Sequence, residues 1–197
     1  MKSTSSKKRN SILIKNSAIY VLLFLGAIMV LVDHYSEDAL DSDQIKKIVL
    51  EEKSEPGFKA PAFTARDLNG NIDSLVNYKG QVVIVNLWAT WCGPCRIEMP
   101  GFENLYRRFR SQGLVILAVS LDKKNDKAVK DFAVEYKLSF PILIDDKGEV
   151  EKRYQTFTIP TTYVIDRSGR VVFKVDGAKN WESEETFRSI EYLLKAP

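Results

Sequence analysis

The run QVVIVNLW, Gln81 to Trp88, is nearly continuous valine, isoleucine and leucine. A strand with one wet face alternates apolar and polar residues, whereas an unbroken run suits a strand buried on both faces. Such a strand needs cover above and below, as a sheet with helices on both faces provides. The following segments agree. Phe102, Leu105, Tyr106 and Phe109 recur at i, i+3, i+4 and i+7, one stripe of a helix. GLVILAVS, 113–120, is a second aliphatic run. Strand, helix, strand makes a right-handed parallel crossover the default. Pro100 lies inside the expected helix and is expected to kink it.

The flanking segments extend this layout. PAFTARDLNGNIDSL reads as two short strands around the turn residues Asn69 and Gly70. A second helix carries Val129, Phe132, Ala133 and Tyr136 on one stripe, FPILID is a third core strand, and GEVEKRY is a short helix. TTYVID and RVVFKVDG, joined by a turn at Ser168 and Gly169, read as an antiparallel pair. SEETFRSIEYLL closes the chain as a helix with Phe187, Ile190 and Leu194 facing inward. The expected fold is a central mixed β-sheet flanked by helices, with an N-terminal β extension. There is no internal repeat and no low-complexity tract.

The N-terminal segment has a different texture. Residues 1–16 hold Lys2, Lys7, Lys8, Arg9 and Lys15 and no acid, so with a chain total of +3 the remainder is −2. The basic balance therefore belongs to a tail, and a nucleic-acid partner is not expected. Ala18 to Val32 is free of charge. As a helix its 15 residues span roughly 22 Å, and counting from Ile12 gives 21 residues and roughly 31 Å if Lys15 reaches back to the headgroups. A cleaved signal would end in small residues spaced A-x-A, but this run ends VLVDHYSED. An uncleaved anchor over residues 17–33 is the favoured reading, with a cleaved signal and a soluble core helix as the others. Positive charge stays cytoplasmic, which places residue 33 onward on the far side of the membrane. Residues 34–55 are charged and mixed and read as a tether, and the folded domain is expected over 56–197.

Cys92 and Cys95 are the only two cysteines. A closed zinc site needs four ligands, and the single histidine, His34, lies at the membrane edge, so no metal site is expected. A structural staple is a weak reading too: a four-residue loop is worth roughly 2 kcal/mol, against about 3 for fifteen residues. Redox chemistry remains. At the junction of a strand and a helix, Cys92 takes the helix N-terminus, where unpaired N–H groups and the dipole favour a thiolate. Pro94 fits the first turn. Cys95 lies one turn inward, more shielded and within reach, as thiol–disulfide exchange requires.

WCGPC resembles the active-site motif of thioredoxins. The longer NLWATWCGPCRIEMP is similar to the membrane-anchored extracytoplasmic thioredoxin-like thiol:disulfide oxidoreductases, the TlpA/ResA type within the AhpC/TSA–Redoxin superfamily. The likeness extends over about residues 56–197 and includes PAFTARDLNG, YKGQVVIVNLW, FPILID and IPTTYVIDRSGRVV. It implies a thioredoxin-like fold behind a single N-terminal transmembrane helix, and a domain facing the periplasm or extracytoplasmic side. Cys92 resembles the family nucleophile and Cys95 the resolving cysteine, with Gly93 and Pro94 between them. Ile159 and Pro160 resemble the pair that faces the active site with the proline in cis, a geometry largely confined to proline. Trp91 is expected to shape the contact surface for substrate and Trp88 to pack.

Thioredoxins place a buried aspartate two residues before the first tryptophan of the motif. Here that position is Asn86, which cannot titrate. Glu98 matches an acidic position of the TlpA/ResA type, and at i+3 from Cys95 it can approach that side of the helix. It is the expected acid–base group, with partial burial raising its pKa; the alternative is a solvated glutamate. Trp181 has no role that the sequence assigns.

The resemblance implies a reductant of exported proteins, possible substrates including apocytochrome c during its maturation. Its electrons would come from a transmembrane thiol carrier, and no cofactor is expected beyond the Cys92–Cys95 disulfide itself. Two other classes fit the motif less well. A thioredoxin-fold peroxidase of the peroxiredoxin kind carries a P-x-x-x-T-x-x-C context, and NLWATW lacks that proline. A copper chaperone of this fold resembles C-x-x-x-C with a distal histidine, and the domain has no histidine.

Overall fold

The computed structural model describes residues 52–123 and 125–196, together with Met29. The chain divides into two units, Met1–Lys47 and Ile48–Pro197. In the first, only Met29 is described; it is helical with an exposed side chain. The basic tail, the rest of the expected anchor and the tether up to residue 51 lie outside the described residues. Among the described residues no helix is long and apolar enough to cross a membrane.

The second unit is built on a seven-stranded mixed sheet. Its elements in chain order are β1 (Thr64–Asp67), β2 (Ile72–Ser74), β3 (Val82–Trp88), α1 (Gly93–Phe109), β4 (Leu114–Ser120), α2 (Asp126–Glu135), β5 (Ile142–Ile144), α3 (Glu149–Arg153), β6 (Thr161–Ile165), β7 (Val171–Asp176) and α4 (Glu184–Lys195). The strand order is β2-β1-β5-β4-β3-β6-β7. β3 runs parallel to β4 from Val82↔Leu114 to Trp88↔Ser120, and antiparallel to β6 on its other side. β4 is parallel to β5, while β1–β2 and β6–β7 are antiparallel pairs.

All seven residues of β3 are buried, as a run without alternation requires. Successive side chains still point to opposite faces. Ile84 and Trp88 join a core with Met99, Phe102 and Phe109 of α1, Phe132 of α2 and Ile190 of α4. Val83, Val85 and Leu87 join a second core on the other face, with Phe63, Val150 and Tyr154. Burying each such side chain contributes about 1.5–3 kcal/mol. Asn86 falls on the face of Ile84 and Trp88 by the same period, so a polar side chain is directed under α1.

Helix α1 continues through Pro100, which has no N–H to give to the Arg96 carbonyl. The helix passes into a 3-10 turn, Arg110–Gln112, which ends at Gly113 with φ 101°, a left-handed value that glycine adopts without a Cβ clash.

Residues just before position 56 hydrogen-bond within the second unit. The Lys53 N–H donates to the Lys59 carbonyl at 2.9 Å, and Ser54 Oγ donates to the Tyr154 carbonyl at 2.7 Å in a buried position. Two residues of the expected tether, Lys53 and Ser54, are thus bonded to Lys59 and Tyr154. Their charge made them read as tether, and a hydrogen bond to a residue one hundred positions away leaves no trace in local composition.

Candidate active site

Cys92 is the N-cap of α1 and Pro94 occupies the first turn. No acidic residue sits in that turn to offset the positive end of the helix. The Cys95 N–H points at Cys92 Sγ from 3.2 Å, a donor aimed at the atom where a thiolate would carry its charge. Cys92 and Cys95 are joined as a disulfide. Cys92 retains 6% exposure and Cys95 none, the order expected from one turn of helix.

The Ile159–Pro160 bond is cis. Cys92 Sγ lies 3.8 Å from the Ile159 carbonyl oxygen, so the loop before β6 faces the disulfide. Beside it is an open groove lined by Trp91, Leu121, Lys123, Phe157 and Ile159. Trp91 is 71% exposed and Phe157 93% exposed. Trp88 is fully buried against Phe132, the two rings tilted by 45° with centroids 4.9 Å apart. The two tryptophans of the motif therefore divide into one packing residue and one surface residue.

Trp91 is held outward by its neighbour. Asp122, buried at the end of β4, accepts from the Thr90 N–H at 2.9 Å, from Thr90 Oγ1 at 2.6 Å and from Ser120 Oγ at 2.8 Å. On the other side Arg96 Nη1 donates to the Thr90 carbonyl at 3.3 Å while its guanidinium lies over the Phe132 and Tyr136 rings. Every polar group of Thr90 is thus engaged by a side chain from β4's end or from α1.

Glu98 is not a solvated helix glutamate. It is 3% exposed, more deeply buried than expected, because α1 turns this position toward the sheet rather than toward water. Asn86 Nδ2 donates to its Oε1 at 3.0 Å, and Trp181 Nε1 donates to its Oε2 at 3.0 Å. Burial pushes the carboxyl above its ordinary range; the donors from Trp181, the Lys179 N–H and Asn86 oppose that shift without cancelling it. Trp181 in turn stacks on Phe102 with centroids 4.6 Å apart.

All the residues expected from the sequence thus gather at one end of the sheet: Trp91, Cys92, Gly93, Pro94, Cys95 and Glu98 at the start of α1, Ile159 and Pro160 before β6. Asp122, Trp181 and Thr162, whose Oγ1 accepts from Asn86 Nδ2 at 2.9 Å, were missed. An aspartate just past a buried strand was a faint signal for Asp122. Trp181 sits in the polar stretch AKNWESE, where nothing local indicates a carboxylate partner.

Comparison with known proteins agrees with this geometry. Residues 56–174 match the model of the AhpC/TSA family. The chain is similar to the thiol-disulfide oxidoreductase ResA of Bacillus thuringiensis, 41% identical over 145 residues that cover 74% of this chain and 80% of that one. It is similar to ResA of Oceanobacillus iheyensis, 33% identical over 90% of this chain and 88% of the relative. Among solved structures it resembles the thioredoxin domain of a thiol-disulfide oxidoreductase from Bacteroides vulgatus, with TM-score 0.62, 28% identity and coverage of 72% and 99%.

Proposed function

The chain belongs to the AhpC/TSA family, in its thioredoxin-like ResA branch, and from that premise we propose that it reduces disulfides of exported proteins through Cys92 and Cys95. That it is a thiol–disulfide oxidoreductase follows from the same relatives and from the disulfide at the head of α1. The observation that carries the reading is the placement of that disulfide. It caps a helix N-terminus, faces the carbonyl before a cis-proline, and is bordered by exposed Trp91 and Phe157.

The steps conserve atoms and electrons. In the reduced protein the Cys92 thiolate attacks one sulfur of the substrate disulfide; the other sulfur leaves as a thiolate and takes a proton. The mixed disulfide is then attacked by Cys95, whose proton passes to Glu98. The Cys92–Cys95 bond forms, and the second substrate sulfur leaves as a thiolate that takes its proton from solvent. Two electrons have moved from the dithiol to the substrate. The disulfide form described here is the spent state, and an exported reductant of this kind needs two electrons returned by a transmembrane thiol carrier. Trp91, Ile159 and Pro160 form the contact surface for an extended substrate segment.

Three finer statements belong to the same proposal. Residues 17–33 anchor the chain, with the basic stretch 1–16 on the cytoplasmic side and the domain on the extracytoplasmic side; the charge asymmetry of the sequence supports this. Apocytochrome c, with its paired cysteines, is a substrate class consistent with the ResA relatives. No cofactor beyond the disulfide takes part.

The test is a trap. Cys95→Ser leaves the mixed disulfide on Cys92 unresolved, and mass spectrometry of membrane and extracytoplasmic fractions identifies what is captured. Capture of exported cysteine-pair proteins is the expected result. A variant that captures nothing, beside a wild type that consumes peroxide as fast as it reduces disulfides, overturns the reading in favour of a peroxidase. Fractionation tests the anchor separately: a soluble mature form beginning near residue 35 would remove the anchor and leave export intact.

A further inference from the structure

The two oxygens of Glu98 have chemically different neighbours. Oε2 accepts from Trp181 Nε1–H at 3.0 Å and from the Lys179 backbone N–H at 3.4 Å. Both partners are donors that cannot accept. A proton on Oε2 would therefore meet two other hydrogens. Oε1 accepts from Asn86 Nδ2 at 3.0 Å. An amide differs from an indole in one respect: turned by half a rotation, it presents an oxygen where its nitrogen stood.

The surroundings of Asn86 permit that turn. Its Nδ2 donates to Glu98 Oε1 and also to Thr162 Oγ1, the latter at 2.9 Å. Its Oδ1 is buried and has no hydrogen-bond partner among the described residues. The Thr162 hydroxyl can accept or donate. With the amide turned, Oδ1 would accept from a protonated Glu98 Oε1 and from Thr162 Oγ1–H, and Nδ2 would become the unpaired end. Each orientation makes two hydrogen bonds and leaves one amide end without a partner. The count is the same whether Glu98 is charged or neutral.

We propose that Glu98 carries its exchangeable proton on Oε1, and that Asn86 is the positioning residue that accommodates it by turning its amide between the two states. This rests on Glu98 serving as the acid–base partner of Cys95. In that step the Cys95 S–H bond breaks, an O–H bond forms at Oε1, and the electron pair left on sulfur makes the bond to Cys92. Among the described residues, the titratable residues nearest in the fold are Cys92 and Cys95 at the start of the same helix and Lys179 in the loop after β7, whose backbone N–H reaches Oε2. β3 and β6 present the neutral Asn86 and Thr162. Thr162 lies two residues beyond Pro160, so the amide also links the proton site to the loop that faces the disulfide.

The experiment compares the pH dependence of disulfide exchange in wild type, Glu98→Gln, Trp181→Phe and Asn86→Ala. Trp181→Phe keeps an aromatic ring against Phe102 and removes a donor that serves only the carboxylate. The Glu98-dependent step should move to higher pH, by about a tenfold change in proton concentration at its midpoint. Asn86→Ala removes a partner of both forms, so its midpoint should move much less. An Asn86→Ala midpoint displaced upward as far as that of Trp181→Phe overturns the turning amide and leaves Asn86 as a fixed donor. Wild-type and Glu98→Gln profiles that coincide overturn the acid–base reading, and this proposal with it. A second measurement does not depend on the variants folding. In asparagine-labelled wild type, NMR contacts between the Asn86 amide protons and the Thr162 side chain should be present above the midpoint and lost below it; contacts unchanged across it overturn the proposal.

Discussion

Trp181 and Glu98 stand 83 positions apart in the sequence and are joined by a 3.0 Å hydrogen bond from indole nitrogen to carboxylate oxygen. The bond fixes the last loop of the domain against the helix that carries both cysteines. A buried carboxylate with three donors and, among the described residues, no ion pair is costly when charged, since burial acts against the charged form and the donors recover only part of that.

The sign of the resulting pH dependence is determined. The folded-state pKa of Glu98 is raised, so its contribution to stability is fully present below the ordinary glutamate value of about 4.3 and is lost as pH rises through its own higher value. Glu98→Gln has no such step. Urea unfolding of the disulfide form, measured from pH 4 to 8, should show wild type losing stability relative to Glu98→Gln across that window. Parallel curves would contradict the burial argument.

Reduced protein treated with iodoacetamide at mildly acidic pH should be modified at Cys92 well before Cys95. Cys92 has the helix N-terminus, the Cys95 N–H and residual exposure; Cys95 is fully enclosed. Peptide mapping reads the order, and equal labelling would reject it.

Trp91→Ala and Phe157→Ala should separate docking from chemistry. Both rings are mostly in water, so neither substitution should change the unfolding midpoint appreciably. Each is expected to lower kcat/KM for a protein disulfide by about tenfold, the effect of losing roughly 1.4 kcal/mol at a docking aromatic. Rates with a small-molecule disulfide should stay within about twofold. A parallel loss with both substrates would mean that these rings shape the thiol rather than the contact surface.

Tyr154→Phe tests the second core. The Tyr154 hydroxyl donates to the buried Pro61 carbonyl at 2.9 Å, and burial pushes its pKa far up. Removing it leaves that carbonyl unpaired, which should cost about 1–3 kcal/mol in chemical denaturation while disulfide exchange is unchanged.

The sequence by itself determined the sheet. An unbroken Val/Ile/Leu run, helical stripes at i, i+3, i+4 and i+7, and turn residues at Asn69–Gly70 are local patterns, and local patterns encode strands, helices and the position of Cys92 at a helix start. The resemblance carried by WCGPC and IPTTYVIDRSGRVV supplied the pairing of that start with Pro160. Only the tertiary structure decided what Glu98 is. A glutamate three residues after Cys95 can be a solvated charge as well as a buried acid, and what settles its burial lies in Asn86 from β3 and Trp181 from beyond β7. The same holds for Asp122 against Thr90, and for Ser54 against Tyr154. Side chains that satisfy buried polar groups are recruited from whatever part of the chain the fold brings within about 3 Å, and sequence separation carries no record of that distance.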